Sequence, residues 1–155
     1  MHADEVRKVL VVCTGNSCRS ILAEAYMRKR FKEEKLDIEL RSAGTSAVNG
    51  FPPADETITT LEEENINTED LHSTRITEEM INNADIILVM ETIHKARIID
   101  MVPSAGCKVF FLAEYDKEAQ ELTIPDPIGR SLAFYKLSFG IIKRSVEGFI
   151  KWLKK

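Results

Sequence analysis

Cys13 and Arg19 lie six positions apart in the run Cys13-Thr14-Gly15-Asn16-Ser17-Cys18-Arg19-Ser20. Residue types in this order suit an anion. Gly15 tolerates backbone conformations that other residues resist, so successive amides can turn inward as a nest for oxygen atoms. Arg19 adds a planar fork that matches two oxygens of a phosphate-like group. The same positive groups stabilise a thiolate at Cys13. A thiolate aimed at a bound phosphoryl group is a nucleophile, and the chemistry it predicts is phosphoryl transfer through a cysteinyl-phosphate. Thr14, Gly15, Asn16, Ser17, Cys18, Arg19 and Ser20 are the expected phosphate-binding residues. The run is not a Walker loop, because no Gly-Lys-Ser/Thr follows Gly15.

Such a nucleophile needs an acid for the leaving group. Asp126 is the candidate, held between Pro125 and Pro127. Each proline fixes its own φ and pushes the residue before it to extended conformations. One side chain is thereby held in place at low entropy cost.

These residues need a scaffold. Val9-Leu10-Val11-Val12 is a short, β-branched apolar run and predicts a strand buried on both faces. A helix is expected from about 21 to 31, with Leu22, Ala25 and Tyr26 on one face. Further strands are predicted at 38–42, 86–89 and 108–112. Helices are predicted at 54–63, from Thr77 to about 82, at 91–101, and as a long amphipathic segment closing the chain. Its apolar stripe comprises Leu132, Tyr135, Phe139, Ile142, Val146, Phe149 and Leu153, and Ser131 is placed to cap it. Strands alternating with helices predict βαβ units around a parallel sheet. The expected architecture is one α/β domain over residues 1–155, a four-stranded parallel sheet with helices on both faces and the catalytic run just beyond the first strand.

Composition narrows the function classes. The chain has 155 residues, 44% hydrophobic and 30% charged, with a formal net charge of −4. It carries enough apolar material for a core and no run long enough for a membrane span. The acidic balance argues against nucleic acid as a partner. Arg28, Lys29, Arg30 and Lys32 form a small basic cluster that reads as a solvated helix face. Three cysteines, without Cys-x-x-Cys spacing or a secretory signal, argue against a disulfide framework and a metal site. The expected compartment is the reducing cytosol. Cys107 reads as a buried structural thiol, and His2 and His94 as surface residues.

Five motifs in order, VCTGNSCRS at 12–20, RSAGTS at 41–46, LHSTRIT at 71–77, ADIILVM at 84–90 and IPDPIGRS at 124–131, cover nearly the whole chain. On them the sequence resembles the low-molecular-weight protein tyrosine phosphatase family. The resemblance implies a nucleophile at Cys13, a phosphate clamp at Arg19 and a general acid, later base, at Asp126. It implies that Ser20 donates to the Cys13 thiolate. Asn16 would hold the loop in shape, supported by Ser42 and His72. It implies no metal and no organic cofactor, a phosphorylated protein as substrate, and inorganic phosphate or other oxyanions as ligands. For Cys18 it implies a reversible disulfide with Cys13, while the residue itself reads equally well as a small side chain filling the underside of the loop.

The substrate-facing positions depart from the phosphotyrosine pattern. Pro127-Ile128-Gly129 follows the acid without a tyrosine, and Val48 and Asn49 stand where an aromatic wall is expected, with Phe51 nearby. The Asp-Pro-x-Gly-x-Ser pattern is similar to the bacterial branch that includes protein-arginine phosphatases, which carries threonine at the position of Ser17. This favours phosphoarginine over phosphotyrosine. Arsenate reductases share the catalytic run, but residues 72–106 lack the further cysteines of a thiol relay, leaving only a variant that uses an external thiol. An inactive phosphate-binding module is the remaining alternative.

Overall fold

Four short strands decide the architecture. In the computed structural model, which describes residues 2–155, they form one sheet in which every strand is parallel to its neighbours. β1 (Lys8–Cys13), β2 (Glu39–Gly44), β3 (Ile86–Val89) and β4 (Val109–Phe111) lie in the order β2-β1-β3-β4. Parallel neighbours cannot be joined by tight turns, so helices fill the connections. α1 (Arg19–Glu33) follows β1, α2 (Asp55–Glu62) and α3 (Glu78–Asn83) separate β2 from β3, α4 (Thr92–Met101) follows β3, and α5 (Leu132–Leu153) closes the chain. The expected single-domain α/β fold is the one observed.

Strand alternation divides the interior into two cores. Val9, Val11, Ile86 and Leu88 face Ile21 and Leu22 of α1 and Phe139, Ile142 and Val146 of α5. Leu10, Val12, Ile87 and Val89 face Met80 and Ile81 of α3 and Ile98 of α4. Cys13, in step with Val9 and Val11, belongs to the first core.

α5 is capped as expected, its Phe134 amide donating to Ser131 Oγ at 3.2 Å. It is tied to α1 by Glu147, which accepts from Arg30 Nε at 2.8 Å and Nη2 at 3.0 Å and from the Tyr26 hydroxyl. The Arg30 fork holds the Glu147 carboxyl below its usual range, and burial pushes the Tyr26 phenol up. Arg30 therefore leaves the solvated cluster in which the sequence placed it, whereas Arg28, Lys29 and Lys32 stay exposed.

Cys107 also departs from expectation. It is exposed, in a 3₁₀ segment spanning Pro103–Lys108, and its thiol reaches only Ser104 O at 3.6 Å. β4 begins after it, at Val109, because the Pro103 turn is still unwinding through Lys108.

Gly148 lets α5 approach the 3₁₀ turn Leu112–Tyr115: a Cβ there would sit 1.8 Å from the Tyr115 carbonyl oxygen. A Cβ on Gly140 would meet nothing within 4 Å. Gly148→Ala should thus destabilise the fold by at least ~1–3 kcal/mol, the cost of overpacking. Gly140→Ala, on the same helix, should stabilise it by roughly 0.5–1 kcal/mol. Urea denaturation of both variants checks the opposite signs.

Candidate active site

Cys13 ends β1 at the carboxyl edge of the sheet. The chain leaves β1 towards one face through α1, and leaves neighbouring β3 towards the other through α4. Strand ends where the connections diverge in this way form the ligand crevice of open α/β sheets.

The loop between β1 and α1 turns through Asn16, a non-glycine residue at φ 51° with no exposed surface. Its side chain is saturated. Nδ2 donates to Ser20 Oγ at 2.6 Å and to Ser42 Oγ at 3.0 Å, and Oδ1 accepts from the Thr74 amide at 2.8 Å. Ser42 Oγ in turn donates to Glu24 Oε1 at 2.6 Å. An ionised carboxylate only accepts, so Glu24 takes the Ser42 hydrogen and leaves that oxygen to accept from Asn16. Ser20, already accepting from Asn16, keeps its own hydrogen for another partner, and Cys13 Sγ lies 2.9 Å away. A thiolate there only accepts, so Ser20 would be its donor.

Gly44, at the end of β2, is required by this loop. A Cβ there would lie 2.5 Å from Thr14 O and 2.9 Å from Asn16 N. Ser17 is anchored from the other side, its carbonyl accepting from Thr57 Oγ1 at 2.8 Å and Ala54 N at 3.2 Å.

The loop offers donors rather than using them. No hydrogen bond among the described residues engages the amides of Thr14, Gly15, Asn16, Ser17 or Cys18. Cys18 precedes α1 without a capping side chain, unlike Thr77 before α3 and Ser131 before α5. The start of α1 thus keeps its free N–H groups and positive dipole end for a ligand.

Arg19 is 1% exposed. Its Nη1 donates to Glu91 Oε2 at 2.6 Å and to Ile124 O at 2.9 Å, leaving Nε and Nη2 without hydrogen bonds inside the protein. Nη2 lies 3.5 Å from Asp126 Oδ2. Asp126 is partly exposed, and its Oδ1 accepts from the Ile128 amide at 3.1 Å. Cys13, Thr14, Gly15, Ser17, Cys18, Arg19, Asp126 and Ile128 line a cavity of about 210 Å³. The side chains of Asn16 and Ser20, expected among the phosphate-binding residues, do not line it and act as supports, while the Asn16 amide stays among the free donors. Val48 and Phe51, both exposed, do not line it. Its wall beside the acid is the aliphatic Ile128. Cys13 and Cys18 are free thiols, and Cys18 Sγ sits 3.3 Å from the buried Tyr135 hydroxyl.

His72 is a correction. It is exposed, with Nδ1 on Asp70 O at 3.2 Å, and takes no part in the Asn16 network. The bridge between Gly44 and Arg75 brings the chain itself alongside the loop, so the Thr74 amide fills the place expected of an imidazole. His72 instead lines a larger cavity of about 550 Å³ with Glu24, Arg28 and Ser42, away from Cys13.

His94 is the opposite correction. Expected at the surface, it is fully buried in the first turn of α4. Its Nε2 lies 2.9 Å from Thr14 Oγ1 and its Nδ1 accepts from the Glu91 amide at 3.2 Å. Burial, then the nearby Arg19 charge, lowers its pKa to about 4. Glu24, Glu91 and His94 all escaped the sequence reading. A signal existed for Glu91, which directly follows the strand run ending at Val89-Met90 and so sits at the ligand-bearing edge. Among the described residues no three His, Cys, Asp or Glu side chains converge as a metal site.

The family model described as low molecular weight phosphotyrosine protein phosphatase matches residues 8–155. The protein-arginine-phosphatase of Bacillus subtilis is 33% identical over 147 residues, 95% of this chain and 97% of that protein. The low molecular weight protein-tyrosine-phosphatase Wzb of Escherichia coli K12 is 31% identical over 139 residues, 90% of each chain. A mutant of the YwlE arginine phosphatase with a phosphorylated active-site serine superposes with a TM-score of 0.89 at 32% identity, over 96% of each chain.

The low pKa of His94 sets a pH dependence. The folded value lies below the unfolded one, about 6.5, so the unfolded chain binds the extra proton first. Stability is unaffected above that range and is lost as pH falls towards 4. Between pH 7 and 4 the parent should lose on the order of 3 kcal/mol more than His94→Gln. Paired urea titrations across that range measure the difference in slope.

Proposed function

The chain belongs to the low molecular weight phosphotyrosine protein phosphatase family, and from that premise we propose that it hydrolyses protein phosphoarginine in preference to phosphotyrosine, through a phosphorylated Cys13. The observation that carries the reading is the placement of Cys13 Sγ at the foot of a loop of free amides, with Arg19 and Asp126 on the same cavity.

The free amides and the Nε and Nη2 edge of Arg19 bind the three non-bridging phosphoryl oxygens. The Ser20 hydroxyl supports the thiolate. Cys13 attacks phosphorus as the bond to the leaving atom breaks. That atom takes the electron pair and a proton from Asp126. Water then attacks the cysteinyl-phosphate, Asp126 accepts its proton, the sulfur–phosphorus bond breaks, and phosphate and thiolate are released. Ser17, on the cavity wall, offers a hydroxyl to this water.

Two features of the cavity and one relative support phosphoarginine. No aromatic side chain lines the cavity, and each missing ring forfeits about 0.5–1.5 kcal/mol of stacking for a phenyl group. Once it has given up its proton, Asp126 is a carboxylate facing a leaving group that is itself a guanidinium. The relative from Bacillus subtilis is named for phosphoarginine.

Cys13→Ser should abolish turnover while phosphate binding, read by titration calorimetry, persists on the amides and Arg19. Wild-type-like activity in that variant overturns the nucleophile. Arg19→Lys should be nearly as severe, since a point charge does not reproduce the fork. Asp126→Asn should slow substrates with basic leaving groups by roughly 10²–10⁴-fold and activated aryl phosphates far less; equal losses on both overturn the acid. Matched phosphoarginine and phosphotyrosine peptides, compared by kcat/KM, decide the substrate.

A further inference from the structure

Thr14 follows the nucleophile directly, and its side chain is exposed on the cavity shared by Asp126 and Ile128. One residue orients it. His94 is fully buried, and the Glu91 amide donates to its Nδ1. An uncharged imidazole bonded in this way carries its hydrogen on Nε2. That nitrogen lies 2.9 Å from Thr14 Oγ1, so the ring donates to the hydroxyl. Burial and the neighbouring Arg19 keep the ring uncharged at neutral pH. A hydroxyl has one hydrogen and two lone pairs. With one lone pair used by His94, Thr14 keeps one donor and one acceptor, and no other side chain among the described residues engages either.

We infer that Thr14, oriented by His94, selects the leaving group: its hydroxyl donates to a phosphoryl oxygen and accepts from an adjacent guanidinium N–H of phosphoarginine. The inference rests on the phosphoarginine reading and extends it to a residue other than the acid. A phosphoramidate carries an acceptor and a donor on either side of its phosphorus–nitrogen bond. An aryl phosphate carries only the acceptor, so its ring leaves a Thr14 lone pair desolvated and unpaired. Sites built to bond a polar group discriminate against analogues that lack it. His94 is a positioning residue here. Without it the hydroxyl rotates, and neither its hydrogen nor its lone pair is held towards the substrate.

The test is the ratio of kcat/KM on a phosphoarginine peptide to kcat/KM on an aryl phosphate, whatever loss the two share. Thr14→Val keeps the shape and removes the hydroxyl, and should lower the ratio about 10-fold. Thr14→Ser keeps the hydroxyl and should hold the parent ratio. His94→Leu should lower the ratio about 3-fold, and Thr14→Val combined with His94→Leu should fall no further than Thr14→Val alone. If His94→Leu does not fold, the two Thr14 variants decide, since that side chain is at the surface. An unchanged ratio in Thr14→Val, or an equal drop in Thr14→Ser, overturns the inference alone. A parent enzyme that cleaves the aryl phosphate but not phosphoarginine overturns the substrate reading and the inference together.

Discussion

A buried asparagine in the left-handed region is the constraint on which the rest of the site depends. Asn16 at φ 51° is costly for a non-glycine residue. It persists because three hydrogen bonds over-determine it, from β2, from the chain at Thr74 and from the first turn of α1. It lies in the middle of a run of five amides, from Thr14 to Cys18, that no group among the described residues engages. It also explains why the sheet is assembled as it is. β2 must lie beside β1 to bring Ser42, and β2 must end in glycine so that the loop can pass over it. The acceptor-only Glu24 then takes the Ser42 hydrogen, which leaves the Ser42 oxygen to hold Asn16, and Asn16 in turn holds Ser20 beside the thiol.

Charge in the site follows the same economy. Arg19 is a buried cation, and a buried cation without partners is strongly destabilising. Glu91 holds one side of its fork and Asp126 approaches the other. The guanidinium is thereby stabilised before any ligand arrives, yet its Nε and Nη2 edge stays available. A second cation at His94 would oppose both the loading of Arg19 and the burial of the ring. The uncharged imidazole avoids this and still donates.

Much of this could be read from residue order, and the exceptions have physical causes. β3 falls on Ile86–Val89 as predicted, because the apolar run from Ile86 to Met90, set between Asp85 and Glu91, has one way to be buried on both faces. Cys13, Arg19 and Asp126 stood out because turn chemistry surrounds them: glycine and a helix start in one case, two prolines in the other. The supports were hidden for the opposite reason. Glu24 sits in mid-helix, where a glutamate is ordinary, and only the tertiary approach of β2 gives it Ser42. His94 reads as a surface residue on a short helix until that helix is seen to start against the catalytic loop. His72 was assigned a place that the backbone of Thr74 occupies, and no side-chain pattern encodes which amide lies opposite an asparagine.

The acid is less independent of the clamp than separate roles imply. The segment bearing Asp126 has little regular structure, and its ties are few. Ile124 N donates to Met90 O at the end of β3, Ile124 O accepts from Arg19, and Ser138 Oγ reaches Pro125 O at 3.4 Å. All three fix the two residues just before the acid, and one of them is the phosphate clamp itself. Arg19 therefore acts twice, on the phosphoryl group through its free edge and on the acid loop through the Ile124 carbonyl. Residues sharing a hydrogen-bonded unit do not contribute additively. The gradient of exposure fits this division. Cys13, Asn16 and Arg19 are almost fully buried, the first and last at the cavity floor, while Asp126 and Ile128 stand open at its mouth. The nest is held by the Asn16 hydrogen bonds and meets the same three oxygens in every phosphoryl group. The mouth is held by fewer bonds because leaving groups differ, and its alignment reaches it through the one side chain that spans both.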